Sequence, residues 1–406
     1  NSIVRLQRKI LDLEKKIEAL TEENDSLRNS LGNGSTSLST IAKINWLPSR
    51  SQPNFQISTG SAATAVKLHP SLPILFACTD QGKLLAYDLM NYTMPIASIQ
   101  AHMKGITSMD ILLSQEELLI STVSRDLQCK IFTFKDNNTF QLLRSLIGHE
   151  HIVSCVKLLQ QNTEVLAATC SRDLNCKIWN VSNGWCLKSF QAHTEWIRCL
   201  DIFGDYIVTG SNDCTLRLSH WPSARGLSLG LGHEYAVERV KIIPMLASNT
   251  TDGKETKPVS DGESGKNTGV ENPFTVHDSA YAPLGFRYVL SSSRDKTLKL
   301  WKVPLPKLAA HRPPQPNPFQ SQFELVKTFN GHSSWVRDIR VRDIHAFTSS
   351  DDSTVRCWNL ITGECVKVWK DAHKGFINCL DVDENGTLRE VLCTGGNDGK
   401  VNVFMR

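Results

Sequence analysis

A short cassette recurs along this chain: Ser or Thr, an Asp, a tight turn, a basic or apolar strand and an aromatic residue. It reads SRDLNCKIW from Ser171 to Trp179, SRDKTLKLW from Ser293 to Trp301 and SDDSTVRCW from Ser350 to Trp358. Weaker copies end at Tyr87, Phe132, Ser219 and Phe404. With Asp80, Asp126, Asp173, Asp213, Asp295, Asp352 and Asp398 taken as the cassette aspartates there are seven copies, most of them about 40–47 residues apart. Most follow a Gly-His or Ala-His pair, at His102, His149, His193, His233, His332 and His373. Self-similarity of this period and signature specifies an all-β chain folded as a seven-bladed WD40 β-propeller. A chain of 406 residues exceeds what one hydrophobic core usually holds. A propeller avoids that limit because each blade packs only on its neighbours.

A buried carboxylate is costly unless it is paired and hydrogen-bonded. The His, the Asp, the Ser or Thr and the Trp of each copy are therefore expected to share one network. That assigns His149, His193 and His332, with Asp173, Asp295 and Asp352, to structure rather than to chemistry. No phosphate-binding Gly loop, zinc spacing or nucleophile–base signature occurs in the sequence, so no catalytic residue, metal or cofactor is expected. The 12 cysteines form no CxxC pair, and Cys155, Cys199 and Cys379 stand in apolar strand contexts as small hydrophobes. With no bilayer-length apolar run and no signal peptide, a reducing cytoplasmic setting without membrane insertion is expected. A net charge of +4 is too small to argue for nucleic acid. The chain opens at Asn1 rather than Met, so further sequence upstream is expected.

Residues 1–31 follow a different rule. Ile3, Leu6, Ile10, Leu13, Ile17, Leu20, Asn24, Leu27 and Leu31 alternate at spacings of three and four. As heptads they place Ile3, Ile10, Ile17, Asn24 and Leu31 at a, and Leu6, Leu13, Leu20 and Leu27 at d. Ile at a with Leu at d favours a parallel two-stranded coiled coil, and a buried Asn fixes its register. The segment is expected to be a homodimerisation helix. Residues 32–42 read as a flexible linker, and 43–406 as the propeller. The chain stops just after the third strand of the seventh blade, so a strand within Lys43–Ile57 must supply the fourth and cover the open edge. Residues Ile44–Pro48 are the expected donors. Residues 249–283, rich in Gly, Ser, Thr, Asp and Glu, read as a disordered insert. Residues 303–320 read as a Pro-rich insert, ordered but irregular, and either a plain surface loop or a docking motif.

Functional weight then falls on exposed residues at one end of the propeller. If His and Asp bond within a blade, the loop entering the innermost strand and the turn between the second and third strands share a face. Arg125, Arg172 and Arg294 each precede a cassette Asp. Trp196 and Arg198, and likewise Trp335 and Arg337, stand two apart where a strand begins and so point to one side. A ring of Arg and Trp around one channel mouth follows, and these residue types are enriched at binding hot spots. Arg also suits bidentate carboxylate recognition.

The stretches GHEHIVSCVKL, LPKLAAHRPPQPNP, GHSSWVRDIRV and GGNDGKVNVFMR, together with a coiled coil, a linker and a propeller, resemble the lissencephaly-protein family of dynein regulators, called nuclear distribution proteins in fungi. The resemblance covers essentially the whole chain and implies a non-enzymatic dimeric adaptor. Its partner would be the motor domain of the cytoplasmic dynein heavy chain, whose microtubule attachment and targeting it regulates in nuclear migration and spindle positioning. It further implies location in the cytoplasm on the cytoskeleton, at microtubule ends and spindle poles, and a nuclear-distribution-E-like coiled-coil adaptor as a further partner. The family's motor-binding positions match Arg172, Arg198, Arg294 and Trp335, and Ser145 falls where a second, stalk-side contact is made. Ser353 stands where the family usually has Lys. Two other readings use the same face: a ubiquitin-ligase substrate receptor for acidic or phosphorylated peptides, and a noncatalytic partner of a lipid acetylhydrolase, a role associated with animal relatives.

Overall fold

Each cassette occupies the turn between the second and third strands of a four-stranded antiparallel sheet. In blade three the strands are Val153–Gln161, Glu164–Ser171, Asn175–Asn180 and Cys186–Gln191. The second strand is buried for six consecutive residues, from Leu166 to Ser171, because blades cover both of its faces. The outermost strand is exposed except at Phe190. The computed structural model describes residues 47, 48, 50–114, 117–245, 273–383 and 390–405, and among them seven such sheets form the propeller. By its internal contacts the chain divides into a large unit, 48–262 with 271–406, and a small one, 1–47 with 263–270. The dimerisation helix expected at 1–31 and the linker at 32–42 lie outside the described residues.

The expected network is present, with one change of membership. In blade three His149 Nδ1 lies 2.7 Å from Asp173, and His149 Nε2 lies 2.8 Å from the Thr169 hydroxyl, to which Trp179 Nε1 also donates at 2.9 Å. Blades five and six repeat it with His233, Asp295, Ser291 and Trp301, and with His332, Asp352, Thr348 and Trp358. The hydroxyl comes from two residues before the cassette Ser. Ser171 itself closes the turn, accepting the Asp173 N–H at 3.1 Å and donating to the His151 carbonyl at 3.0 Å.

Asp80 does not belong to the set. Its N–H donates to the Ala62 carbonyl at 3.0 Å, the bond that Arg172 makes to Ile152 in blade three. Asp80 thus stands one place early, and Gln81 takes the aspartate position. Blade one also lacks the histidine: Thr59 N–H bonds Gly399 O as His102 N–H bonds Gly82 O. Histidine and aspartate are thus missing together from blade one, and one carboxylate oxygen of Asp80 is buried with no hydrogen-bond partner among the described residues.

The ring closes through an N-terminal strand, but a later one than the sequence suggests. Phe55–Ser58 pairs with Lys400–Phe404, Phe55 opposite Val403 and Ser58 opposite Lys400. Ile57, 1% exposed, fills the core between blades seven and one. Pro48 instead accepts from Lys367 Nζ, and the Arg50 carbonyl accepts from Trp369 Nε1 at 3.1 Å, so this stretch crosses the outer strand of blade six. Residues 273–283 also depart from expectation. Phe274 and Tyr281 are buried, a 3-10 turn spans Ser279–Tyr281, and the Tyr281 hydroxyl donates to the Val303 carbonyl at 2.9 Å. The rest of that insert lies outside the described residues.

Around the channel a belt of charge joins the blades. Matching positions of the inner strands hold Lys67, Asp110, Lys157, Asp201, Lys241, Arg340 and Asp381. Lys67 lies 3.5 Å from Asp110 and 3.7 Å from Asp381, and Lys157 lies 3.4 Å from Asp110 and 3.8 Å from Asp201. Asp110, Asp201 and Asp381 each also accept a backbone N–H from the next blade, of Leu158, Ile242 and Leu68. Burial alone would raise the pKa of Asp110, but Lys157 and Lys67 outweigh it and hold the carboxyl below its ordinary value. Alternation fails once, where Lys241 and Arg340 are neighbours. There Asp338, 1% exposed, lies 3.0 Å from Arg239 and 3.1 Å from Arg340.

Candidate functional site

The turn residue before the cassette-aspartate position is fixed the same way in every blade. The N–H of Asp80, Arg125, Arg172, Asn212, Arg294, Asp351 and Asn397 donates to a carbonyl just ahead of the innermost strand. Turn and entry loop therefore share one face, as the repeats suggest. On that face the cationic residues make an arc rather than the expected ring. Arg125, Arg172, Arg198, Arg294 and Arg337 come from blades two to six, while the matching positions of blades one and seven hold Asp80, Thr64, Asn397 and Asn378.

Within the arc, stacked and paired contacts hold most of these side chains. Arg172 lies over Trp196 with its guanidinium 4.6 Å from the ring centre. Arg198 lies 3.4 Å from Glu238, and Arg294 pairs with the same carboxylate. Arg294 also stacks on Trp335 at 4.0 Å, and Arg337 lies 4.9 Å from that ring. Arg337 is held by a bidentate pair to Asp351 at 2.7 and 2.8 Å. Trp335 thus has two guanidiniums on it, each tied to an acid, an arrangement that fixes the indole while leaving cations toward solvent. Burial lowers the pKa of Arg172 from its ordinary value, and the nearby charge of Arg125 and Arg294 adds to this. Arg198 is lowered by burial too, with Arg294 and Arg172 repelling it against the pull of Glu238. The cations crowd one another, which favours an anionic partner.

The four residues expected from the resemblance to meet a motor, Arg172, Arg198, Arg294 and Trp335, all lie in this arc. Ser145 does not. It is exposed on Thr139–Ile147, the outermost strand of blade two, opposite Lys130 and three strands out from the channel. Ser353 sits at the left-handed turn position (φ 62°) and donates to the Gly375 carbonyl at 2.8 Å. Lys296 occupies the same position of blade five (φ 71°). Glu238 escaped the sequence reading, although GHEYAVERV set against GHSSWVRDI puts Glu where Arg337 stands. Asp351 as the clamp of Arg337 was likewise not foreseen.

All twelve cysteines are free. Among the described residues no group of His, Cys, Asp and Glu could hold a metal, and no helix is long and apolar enough to cross a membrane.

Fold and surface define the class: a WD-repeat propeller presenting a cationic and aromatic face. The family described as WD domain, G-beta repeat matches residues 140–180, 184–218, 323–359 and 363–404. Over the whole chain the sequence is 53% identical to nuclear distribution protein PAC1 of Eremothecium gossypii, covering 86% of that protein. It is 53% identical to the protein of the same name in Lachancea thermotolerans (84% covered) and 47% identical to that of Saccharomyces cerevisiae (82% covered). The chain belongs to this family of nuclear distribution proteins, the lissencephaly-protein family.

Proposed function

We propose that this protein is a non-enzymatic adaptor that binds the motor domain of cytoplasmic dynein through the Arg–Trp arc and regulates the motor's attachment to microtubules. The observation that carries the reading is Trp335 held between Arg294 and Arg337. A fixed indole flanked by cations suits an acidic segment that also offers an apolar contact. Membership of a family whose relatives are named for nuclear distribution supports nuclear migration and spindle positioning as the setting, at microtubule ends and spindle poles in the cytoplasm. Residues 1–31 would supply homodimerisation, Ser145 would mark a second contact on the rim of blade two, and a nuclear-distribution-E-like coiled-coil protein would be a further partner.

The test is co-sedimentation of purified dynein motor domain on microtubules with a chain carrying Arg172→Ala, Arg198→Ala, Arg294→Ala and Trp335→Ala. None of the four belongs to a His–Asp network, so the variant should still fold cooperatively by circular dichroism, with its melt lowered by the loss of both ion-pair partners of Glu238. Each single change should cost about 1–3 kcal/mol of binding, and the quadruple variant should not bind. Arg198 and Arg294 share Glu238, so their effects should not add. Added salt should weaken binding. Ser353→Lys should strengthen it, the position being one where Lys296 is already accommodated in blade five. Normal binding by a folded quadruple variant would move the site elsewhere.

A further inference from the structure

The Pro-rich insert 303–320 takes no part in the arc, yet it is built more firmly than a connection requires. After Leu298–Lys302 the chain forms a hairpin of Lys307–Ala309 with Arg312–Gln315, turned at His311 (φ 60°). It returns along blade four, where the Leu229 N–H donates to the Ser321 carbonyl and the Phe323 N–H to the Leu229 carbonyl, both at 2.9 Å. Phe323 is 6% exposed and packs among the side chains between blades four and five. Four residues earlier, Phe319 is 97% exposed, the most exposed large apolar side chain among the described residues.

An exposed apolar residue alone means little. This one is presented. Asn317 Oδ1 accepts the Phe319 N–H at 3.1 Å, an Asx turn, and Asn317 Nδ2 donates to the Leu305 carbonyl at 3.3 Å. Leu305 is itself packed against the core. Pro316 and Pro318 restrict φ on either side of Asn317. Both polar ends of the Asn are thus spent on holding the turn, and the ring that it holds makes no packing contribution to the propeller. From Val303 to Phe323 the chain carries Lys307, His311 and Arg312, all three exposed, and no carboxylate.

We propose that Asn317-Pro318-Phe319 is a docking tip that inserts the Phe319 ring into a folded partner domain, in an apolar pocket sized for one aromatic ring and rimmed by carboxylates. A turn already fixed in its binding shape loses little conformational freedom on docking, an aromatic anchor supplies the contact, and the basic hairpin meets the acidic rim. The tip belongs to a different surface from the arc, and the two can be lost separately.

A photoreactive side chain at Gln320 of the full-length chain, illuminated in yeast cytosol, tests this. One adduct should form and be suppressed at least tenfold by a synthetic peptide of residues 314–321, but not by the same peptide with Ala for Phe319 or for Asn317. The captured domain, once purified, should bind Phe319→Ala and Asn317→Ala chains at least tenfold more weakly than the parent. Asn317→Ala keeps the ring and loses only its presentation, so full binding by that variant would refute the preformed turn. Both variants should melt like the parent and bind the motor domain unchanged. No adduct, an adduct indifferent to the peptides, or undiminished binding by Phe319→Ala would overturn the proposal. So would Phe319-dependent flotation with vesicles of phosphatidylcholine and phosphatidylserine in equal parts, which would make a bilayer the occupant.

Discussion

At the scale of the residue, the His–Asp networks and the arc use similar groups for opposite ends. Burial holds His102, His193, His233, His332 and His373 below the ordinary imidazole value, despite the facing aspartates. A group with a lowered folded pKa adds stability above its unfolded value, about 6.5 for His, and that stability is lost as pH falls toward the folded one. Thermal stability should therefore fall from about pH 7 to about pH 5 as the unfolded chain takes up protons that the folded chain refuses. A flat melting profile over that window would argue against neutral buried histidines. Asp173 behaves differently: burial would raise it, but the bond from His149 and backbone N–H groups hold it down to about 2. Its share of stability persists until the pH falls from about 4 toward that value. In the arc, Glu238 is the residue to change. Glu238→Gln should leave the fold intact but free Arg198 and Arg294 from a shared anion, weakening binding of the motor domain while steepening its salt dependence. An unchanged salt slope would show that Glu238 does not position these cations.

At the scale of the element, the closing strand decides whether blade seven survives. Ile57→Ala should cost about 2–5 kcal/mol, read from denaturant unfolding. A chain beginning at Thr59 should expose the edge of Lys400–Phe404 and aggregate, and solubility equal to the parent would discount that strand. The repeats make the blades legible in the sequence: the innermost strand, the cassette turn and the aromatic that follows recur with little variation. The closing strand was harder to place because Ile44–Leu47 and Phe55–Ile57 both offer short apolar runs, and only pairing with Val401 and Val403 distinguishes them. The boundary at 273–283 was missed for a similar reason. Composition averages over a window and undervalues two anchors, Phe274 and Tyr281, that find places in a core built by distant strands. In the arc, residue types and their shared face were readable, whereas stacking of Arg294 on Trp335 and the sharing of Glu238 depend on side-chain rotamers that spacing does not reveal.

At the scale of the whole molecule, the proposed homodimerisation would govern how the surface is used. Sedimentation of the full chain at micromolar concentration should give twice the monomer mass, and a chain starting near Ser39 should be a monomer. A monomeric full-length chain would remove the coiled coil at 1–31 from the account. In the proposed dimer, two propellers on one stalk would raise the local concentration of sites, so single changes in the arc should look milder in the dimer than in the monomer. The belt of charge around the channel carries a further consequence. Opposite signs can alternate without conflict only around a loop with an even number of members, and this loop has seven. The frustration has to sit somewhere, and it sits between blades five and six, where Asp338 adds a carboxylate between Arg239 and Arg340. A ring with an even number of blades could alternate its signs throughout and would need no extra carboxylate at such a junction. The odd count of the ring is therefore met at one junction, where a single carboxylate pairs with a guanidinium from each of the two blades.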